Sequence, residues 1–337
     1  MKKILIIFLT FFAHELINAE DIRIGITTKR IISLMSSRCE LIAVHADEKK
    51  AKDAIDKCVE EILRIENIIS EWKSDSEITM VNNMAGKEPV KVGKELLYLI
   101  KRSKKISELT DGAFDLSFLT VGKYWVFSPP LKELPNAELI AAATKKVNYR
   151  NIIIDEKEST VFLKEVGMKI GTGGIGQGFA ANKAKAIMLS MDIKSGIINM
   201  SGDIAAWGTQ ENGQPWKIQV GDPSEKGKII AWLNITDMAV VTSGDYEKFT
   251  IIDGKKYCHI IDPHTGYPIT TGIKSATVIC ADVEIADALA TSLCVLGEQK
   301  ALELVSTLKD TECILINAEN KIITSPNLKQ KFWKDAE

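Results

Sequence analysis

The chain has no C-x-x-C pair, no long basic run and no apolar run long enough to span a bilayer. The first absence argues against a zinc site, which draws its ligands from closely spaced cysteines and histidines. The second argues against nucleic acid as a partner: 43 Lys and Arg face 45 Asp and Glu, a net charge of −2, whereas phosphate binding needs a concentrated positive surface. The third excludes a multi-span membrane protein. With 9 prolines and 22 glycines in 337 residues, collagen-like sequence is excluded as well, and composition also excludes a coiled coil. What is present is ordinary globular material, 45% hydrophobic and 7% aromatic, long enough for two domains or one with a large core.

Lys2 and Lys3 precede an apolar run from Ile4 to Ala13, and a small residue, Ala19, stands before Glu20-Asp21. This pattern predicts a secretory signal peptide over residues 1–19, with an uncleaved segment anchoring the protein to a membrane as the alternative. No cysteine precedes Cys39, so none is available for lipid modification beside this segment. The expected location is therefore outside the cytoplasm: exported, periplasmic, with association to the inner membrane if the segment stays. Six cysteines remain in an oxidising compartment, but Cys58, Cys280 and Cys294 lie among periodic apolar residues and read as small hydrophobes.

Residues 20–337 show no repeat and no linker, so one domain with no clean internal boundary is expected. Residues 38–46 read as a strand. Ala51, Ala54, Ile55, Cys58, Ile62, Ile65 and Ile69 follow at helical spacing. A short helix is expected at Ser76–Asn83, another at Leu96–Leu109, and one starting at Asn136. Ile152–Asp155 and Val161–Leu163 read as a hairpin. A glycine-rich turn over 167–178 feeds a helix from Phe179. Strands follow at Gly196–Met200, Trp216–Val220, Ile229–Ile235, Met238–Thr242, Phe249–Ile252, His259–Ile261 and Ser275–Ile279. Helices at Glu284–Leu296 and Lys300–Leu308 and strands at Cys313–Asn317 and Ile322–Thr324 close the chain. Strands clustered between helical blocks predict an α+β fold, a largely antiparallel sheet or sheets with flanking helices in a two- or three-layer sandwich.

Four sets of residues are candidates for chemistry. Gly171, Gly173 and Gly176 satisfy G-x-G-x-x-G between a strand and a helix, a form that lets backbone approach a phosphate at a helix N-terminus. A dinucleotide-binding unit of the Rossmann type would also need an acidic residue about 20 positions on. The candidate, Asp203, lies 27 beyond Gly176 and behind a second glycine turn, so the surroundings argue against it. Asp287 and Thr291, four apart on a helix among small alanines, put a carboxylate and a hydroxyl on one face, a pairing of hard oxygens that suits Mg²⁺; a helix-dipole aspartate beside a back-bonding threonine is the plainer reading. His259 precedes the turn sequence Asp262-Pro263-His264-Thr265-Gly266 and could serve as a general base or simply cap a strand. Trp72 and Phe114, each beside a carboxylate, could stack on a flat ring.

Taken in order, the blocks S-E-W and S-E-I (70–78), G-A-F-D (112–115), G-G-I-x-x-G-F-A (173–180), N-M-S-G-D-I (199–204), T-S-G-D-Y-E (242–247), H-I-I-D-P-H-T-G (259–266) and A-D-A-L-A-T (286–291) resemble the ApbE flavin transferase family, over about Met35 to Gly297. The resemblance implies transfer of FMN from FAD, the substrate, onto a threonine of an acceptor flavoprotein, such as a subunit of a membrane redox complex. It implies an FAD cleft in the sandwich and Mg²⁺ held by the Gly174 carbonyl, Asp287 and Thr291. It implies FAD contacts at Met35, Trp72, Ala113, Phe114, Asp115, Gly171, Gln177 and Ile261, and a catalytic base at His259. The family usually reads D-L-G-G-I-A-K-G in the loop, so Gly171 stands in place of an FAD-contacting aspartate and Gln177 in place of a charged residue. An FAD pyrophosphatase releasing FMN and AMP, or a non-catalytic FAD-binding protein, would carry much the same residues.

Overall fold

The computed structural model describes residues 24–335; the signal-peptide expectation lies outside the described residues. In chain order the elements begin with β1 (Ile26–Leu34), β2 (Ser37–His45), α1 (Glu48–Ile69), α2 (Glu77–Asn83), β3 (Val90–Lys91) and α3 (Lys94–Leu109). Then come α4 (Leu119–Gly122), α5 (Ala137–Thr144), β4 (Ile152–Asp155), β5 (Thr160–Leu163) and α6 (Gly176–Ser190). The second half holds β6 (Ser195–Met200), β7 (Asp203–Trp207), β8 (Trp216–Gly221), β9 (Ile229–Ile235), β10 (Ala239–Gly244), β11 (Phe249–Ile252), β12 (Lys255–Cys258) and β13 (Ile273–Cys280). The remaining elements are α7 (Val283–Ser306), β14 (Glu312–Asn317), β15 (Ile322–Thr324), α8 (Leu328–Lys331) and β16 (Trp333–Asp335).

The frame is an eight-stranded sheet in the order β1-β2-β6-β7-β10-β13-β14-β15, antiparallel at every pairing. An all-antiparallel sheet rules out the Rossmann alternative, which needs parallel strands joined by crossover helices. Strand alternation gives this sheet two apolar faces. On one, Leu41, Ile198, Ala205, Val241, Ala276 and Leu315 pack under helices α1, α6 and α7. On the other, Val44, Ile197, Ala206, Val240, Ile279 and Ile314 meet Trp216, Ile218, Leu233 and Ile235 of a three-stranded sheet, β16-β9-β8. The result is a three-layer sandwich, helices over sheet over sheet.

Helix α1 is capped by Asp47, whose side chain accepts from Lys50 N at 3.1 Å, and it buries the seven-residue stripe read from its spacing. The two helices expected near the end form one element, α7, broken at Gly297, where φ is 78°. Several expectations shift. Strands β1, β3, β7, β12 and β16 are not among those expected from the sequence pattern. Helix α6 begins at Gly176 rather than Phe179, and His259–Ile261 is not a strand but an isolated bridge from Ile261 to Pro268. All six cysteines are free and buried, and burial pushes the Cys58 thiol up to about 12. Among the described residues no helix is long and apolar enough to cross a membrane.

Candidate active site

The glycine loop is pinned from three sides. Asn82 brackets its entry, accepting from Ile170 N at 2.7 Å and donating to Ile170 O at 2.9 Å. Gly171 N donates to Leu116 O at 2.9 Å, and the Thr172 hydroxyl donates to Ile69 O at the end of α1 at 3.1 Å. The loop then turns into α6, whose first-turn N–H at Gly178 donates to Asp287 Oδ2 at 3.0 Å. Gly178 must be glycine: a Cβ there would lie 2.6 Å from Val283 O and 2.9 Å from the Glu284 Cα. That close approach of α6 and α7 brings the loop onto the Asp287–Thr291 face.

At this junction the oxygens converge. A Cβ on Gly174 would stand 3.3 Å from Thr291 Oγ1 and 3.4 Å from the Phe114 ring, so loop backbone, hydroxyl and aromatic edge share one small space. Thr291 Oγ1 lies 3.2 Å from Ser243 Oγ at the end of β10. Asp287 is 6% exposed; burial pushes its carboxyl up to about 7, against the lowering effect of the Gly178 N–H, and the charge of Glu284 adds to the rise. Asp203, also buried, is held well above the ordinary carboxylate range by burial, then by Asp287 and Glu247. Carboxyls in this state favour a proton or a cation in place of bare charge. The donors are hard oxygens with no nitrogen or sulfur, a chemistry that fits Mg²⁺ and leaves coordination positions for water or phosphate. Among the described residues no group of three or more His, Cys, Asp or Glu side chains is arranged for a metal, so a cation here needs backbone and hydroxyl oxygens.

The residues implicated in FAD contact fall in three places around this junction. Phe114, with buried Ala113, lines it directly. Gln177, on the first turn of α6, donates to Ser37 Oγ at 3.0 Å, which ties the β1–β2 hairpin to the loop. The tip of that hairpin is Met35-Ser36, both left-handed with φ of 49° and 56°, a conformation usually given to Asn-Gly. On the other side, a Cβ on Gly171 would lie 3.2 Å from Glu71 Oε1, and the neighbouring Trp72 presents a large apolar ring that is 87% exposed. Asp115 plays a different part: its Oδ1 accepts from Ser117 N and Oγ, both at 2.7 Å, and its Oδ2 from Tyr149 N at 2.7 Å, so its carboxylate braces the fold.

Ile261, buried at 6%, packs with Val121, Trp125 and Ile140. The turn after it is held by Trp125 Nε1, which donates to Gly266 O at 2.9 Å. His259 sits just beyond β12. Its backbone N–H donates to Lys248 O at 2.9 Å, and its Nδ1 lies 3.2 Å from the same carbonyl. A carbonyl only accepts, so Nδ1 carries the proton and Nε2 keeps its lone pair. Burial lowers the His259 pKa below the ordinary value of 6.5, opposed by the hydrogen bond to Lys248. The ring is therefore a neutral base at pH 7. The short run from Ser243 to Lys248 connects the Thr291 contact to the His259 contact. Sequence reasoning assigned no role to Ser243 or Glu71 and set Asp203 aside with the Rossmann alternative; the N-M-S-G-D and T-S-G-D blocks, acids just after glycine turns, were the available signal.

The fold and this junction define an α+β protein with a glycine loop facing a hard-oxygen pair on a neighbouring helix. The model of the ApbE family matches residues 35–315, and the chain belongs to that family. It is 29% identical over 272 residues to an FAD:protein FMN transferase of Klebsiella pneumoniae (strain 342), covering 80% of this chain and 84% of that protein. It is 28% identical over 315 residues to the FAD:protein FMN transferase of Treponema pallidum, covering 87% of each. The crystal structure of the ApbE protein of Thermotoga maritima superposes with a TM-score of 0.84 at 29% identity, covering 92% of this chain and 100% of that one. The flavin transferase ApbE of Vibrio cholerae shares the fold, with a TM-score of 0.80 at 24% identity over 91% of this chain.

Proposed function

We propose that this chain is an FAD:protein FMN transferase that moves FMN from FAD to a threonine hydroxyl of an acceptor flavoprotein, releases AMP, and requires Mg²⁺. Membership of the family and the names of its relatives support the enzyme class. The observation that carries the finer reading is that Gly174 backs onto Thr291 Oγ1 while the first turn of α6 is tied to buried Asp287, one turn earlier on the helix that carries Thr291. These three residues would hold the cation through a backbone carbonyl, a carboxylate and a hydroxyl. When bound, Mg²⁺ supplies positive charge to the pyrophosphate oxygens and eases departure of AMP.

The protein's own residues do the rest. Gly173 and Gly174 carry no side chain and Ile175 turns its own into the core, so the loop backbone would be open to a phosphate. Trp72 offers an exposed aromatic face to a flat ring, whereas Phe114, expected to do the same, is packed in the core and meets the loop by its edge. His259 Nε2 takes the proton from the incoming threonine hydroxyl as its oxygen attacks phosphorus, so a threonine–O–P bond forms as the P–O bond to AMP breaks. The N-terminal sequence supports export to the periplasm, where the acceptor would be a subunit of a membrane redox complex.

The test is incubation with FAD, Mg²⁺ and a candidate acceptor domain. A flavin-fluorescent acceptor band that survives denaturation, with AMP in equal amount, is the expected result. Free FMN with AMP and no labelled acceptor would make the protein an FAD pyrophosphatase, and intact bound FAD would make it a binding protein.

A further inference from the structure

The cation junction exists only because α6 and α7 meet in one register, and a polar cluster behind it holds that register. Arg102 on α3 reaches the start of α7: its Nη2 pairs with Asp282 Oδ2, and its Nε lies 3.1 Å from Glu284 Oε2. Its Nη1 donates to Tyr98 Oη at 2.8 Å, anchoring the guanidinium to its own helix. Asn182, one turn beyond Gly178 on α6, donates to Glu284 Oε1 at 2.8 Å and Asp282 Oδ1 at 3.2 Å. Asp282 Oδ1 in turn caps α7, accepting from Glu284 N at 2.9 Å. The Glu284 side chain is 4% exposed, with Arg102 and Asp282 at 23% and 35%, so this is a partly buried network joining three helices. It ends three residues before Asp287, on the helix end that carries Asp287 and Thr291.

We propose that Arg102 and Asn182 are positioning residues for the cation site, and that they act by fixing the α6–α7 register. This rests on the cation site proposed above. The partners of these two side chains are Tyr98, Asp282 and Glu284 rather than Asp287 or Thr291. Instead, Asn182 fixes how far α6 has advanced along α7, and so whether Gly178 N and the Gly174 carbonyl face the Asp287–Thr291 pair. Arg102 neutralises two carboxylates, Asp282 and Glu284, that would otherwise repel each other and loosen the start of α7. Residues that act through packed elements, with no contact to the ligands, typically change affinity by about two- to thirtyfold.

The experiment measures Mn²⁺ binding to the whole protein by electron paramagnetic resonance, for wild type, Asn182→Ala, Arg102→Met and Arg102→Lys. Mg²⁺-dependent transfer and Tm are measured alongside. Asn182→Ala and Arg102→Met should each weaken Mn²⁺ by about tenfold. At saturating Mg²⁺ the kcat should stay within about twofold, and Arg102→Lys should recover part of the loss because it keeps the charge without the fork. Unchanged Mn²⁺ affinity with a lowered Tm would overturn the proposal and leave the cluster a plain structural tie. If Arg102→Met does not fold, Asn182→Ala, which removes no charge, still decides between these results. Wild-type protein that fails to bind Mn²⁺ at all would overturn the cation reading itself, a result distinct from the previous one.

Discussion

Replacing Gly178 by alanine tests how finely the α6–α7 contact is set. The new Cβ would sit 2.6 Å from Val283 O, about 0.8 Å short of ordinary van der Waals contact, and the obstruction is backbone that cannot rotate aside. Overpacking of this kind costs about 1–3 kcal/mol, while alanine in place of glycine inside a helix returns about 1 kcal/mol. Stability should therefore fall by no more than about 2 kcal/mol, a few degrees in Tm. The site should suffer far more. A retreat of about 0.8 Å is large beside an Mg²⁺–oxygen distance of about 2.1 Å, and it stretches the 3.0 Å hydrogen bond from Gly178 N to Asp287. Misplacement of that size can cost about a hundredfold in rate. The assay is an Mg²⁺ titration of FMN transfer beside a thermal melt. Gly221→Ala is the control, because its Cβ would meet only Lys228 O, at 3.9 Å. A Gly178→Ala protein with wild-type Mg²⁺ dependence would refute the claim that this contact sets the cation site.

Other substitutions separate binding from chemistry. Asp287→Ala should reduce transfer about a hundredfold or more and abolish its response to Mg²⁺, as judged by initial rates. His259→Ala should slow transfer by about a hundredfold or more with FAD affinity nearly intact; loss of FAD binding, read by flavin fluorescence, would assign the ring a structural role. The His259 pKa is lowered by burial, and the neutral ring is the active form. At saturating Mg²⁺, where a bound cation would keep Asp287 ionised, the wild-type rate should therefore fall on acidification through a pKa below 6.5 and stay flat above it, a limb absent from His259→Ala. Trp72 is 87% exposed, so Trp72→Ala should leave the melt unchanged. It should weaken FAD binding measurably if the ring stacks on the substrate, a loss of about 1–3 kcal/mol by isothermal titration.

What the sequence made legible follows physical lines. The α1 stripe was readable because a helix packed on a sheet buries one face at fixed spacing, and all seven of its residues are buried. The antiparallel α+β architecture was readable because strands cluster without regular helical crossovers. Strand β1 was hidden by its T-T-K-R start and by a tip, Met35-Ser36, that holds positive φ without glycine or asparagine; the geometry is imposed by pairing with β2 along nine residues. The α6 start was misread because Gly176 and Gly178 look like turn residues. They are helical glycines, required where Thr172 Oγ1 and Val283 O press against the helix at 3.0 and 2.6 Å from their Cβ positions. The segment His259–Ile261 reads as a strand by alternation, but the ladder of β11 and β12 ends at Cys258, and the Asp262–Gly266 turn bends the chain back. The Asp287–Thr291 pair could be read from helical spacing alone, but its burial and its contact with the glycine loop depend on packing between helices about a hundred residues apart in sequence.

The most direct measurement is the anomalous diffraction of manganese in crystals of the protein grown with FAD and Mn²⁺. The account predicts one strong peak in contact with the Asp287 carboxylate, the Thr291 hydroxyl and the Gly174 carbonyl, lost in Asp287→Ala crystals. A manganese ion seated elsewhere, or density for intact FAD with no metal at that junction, would contradict it.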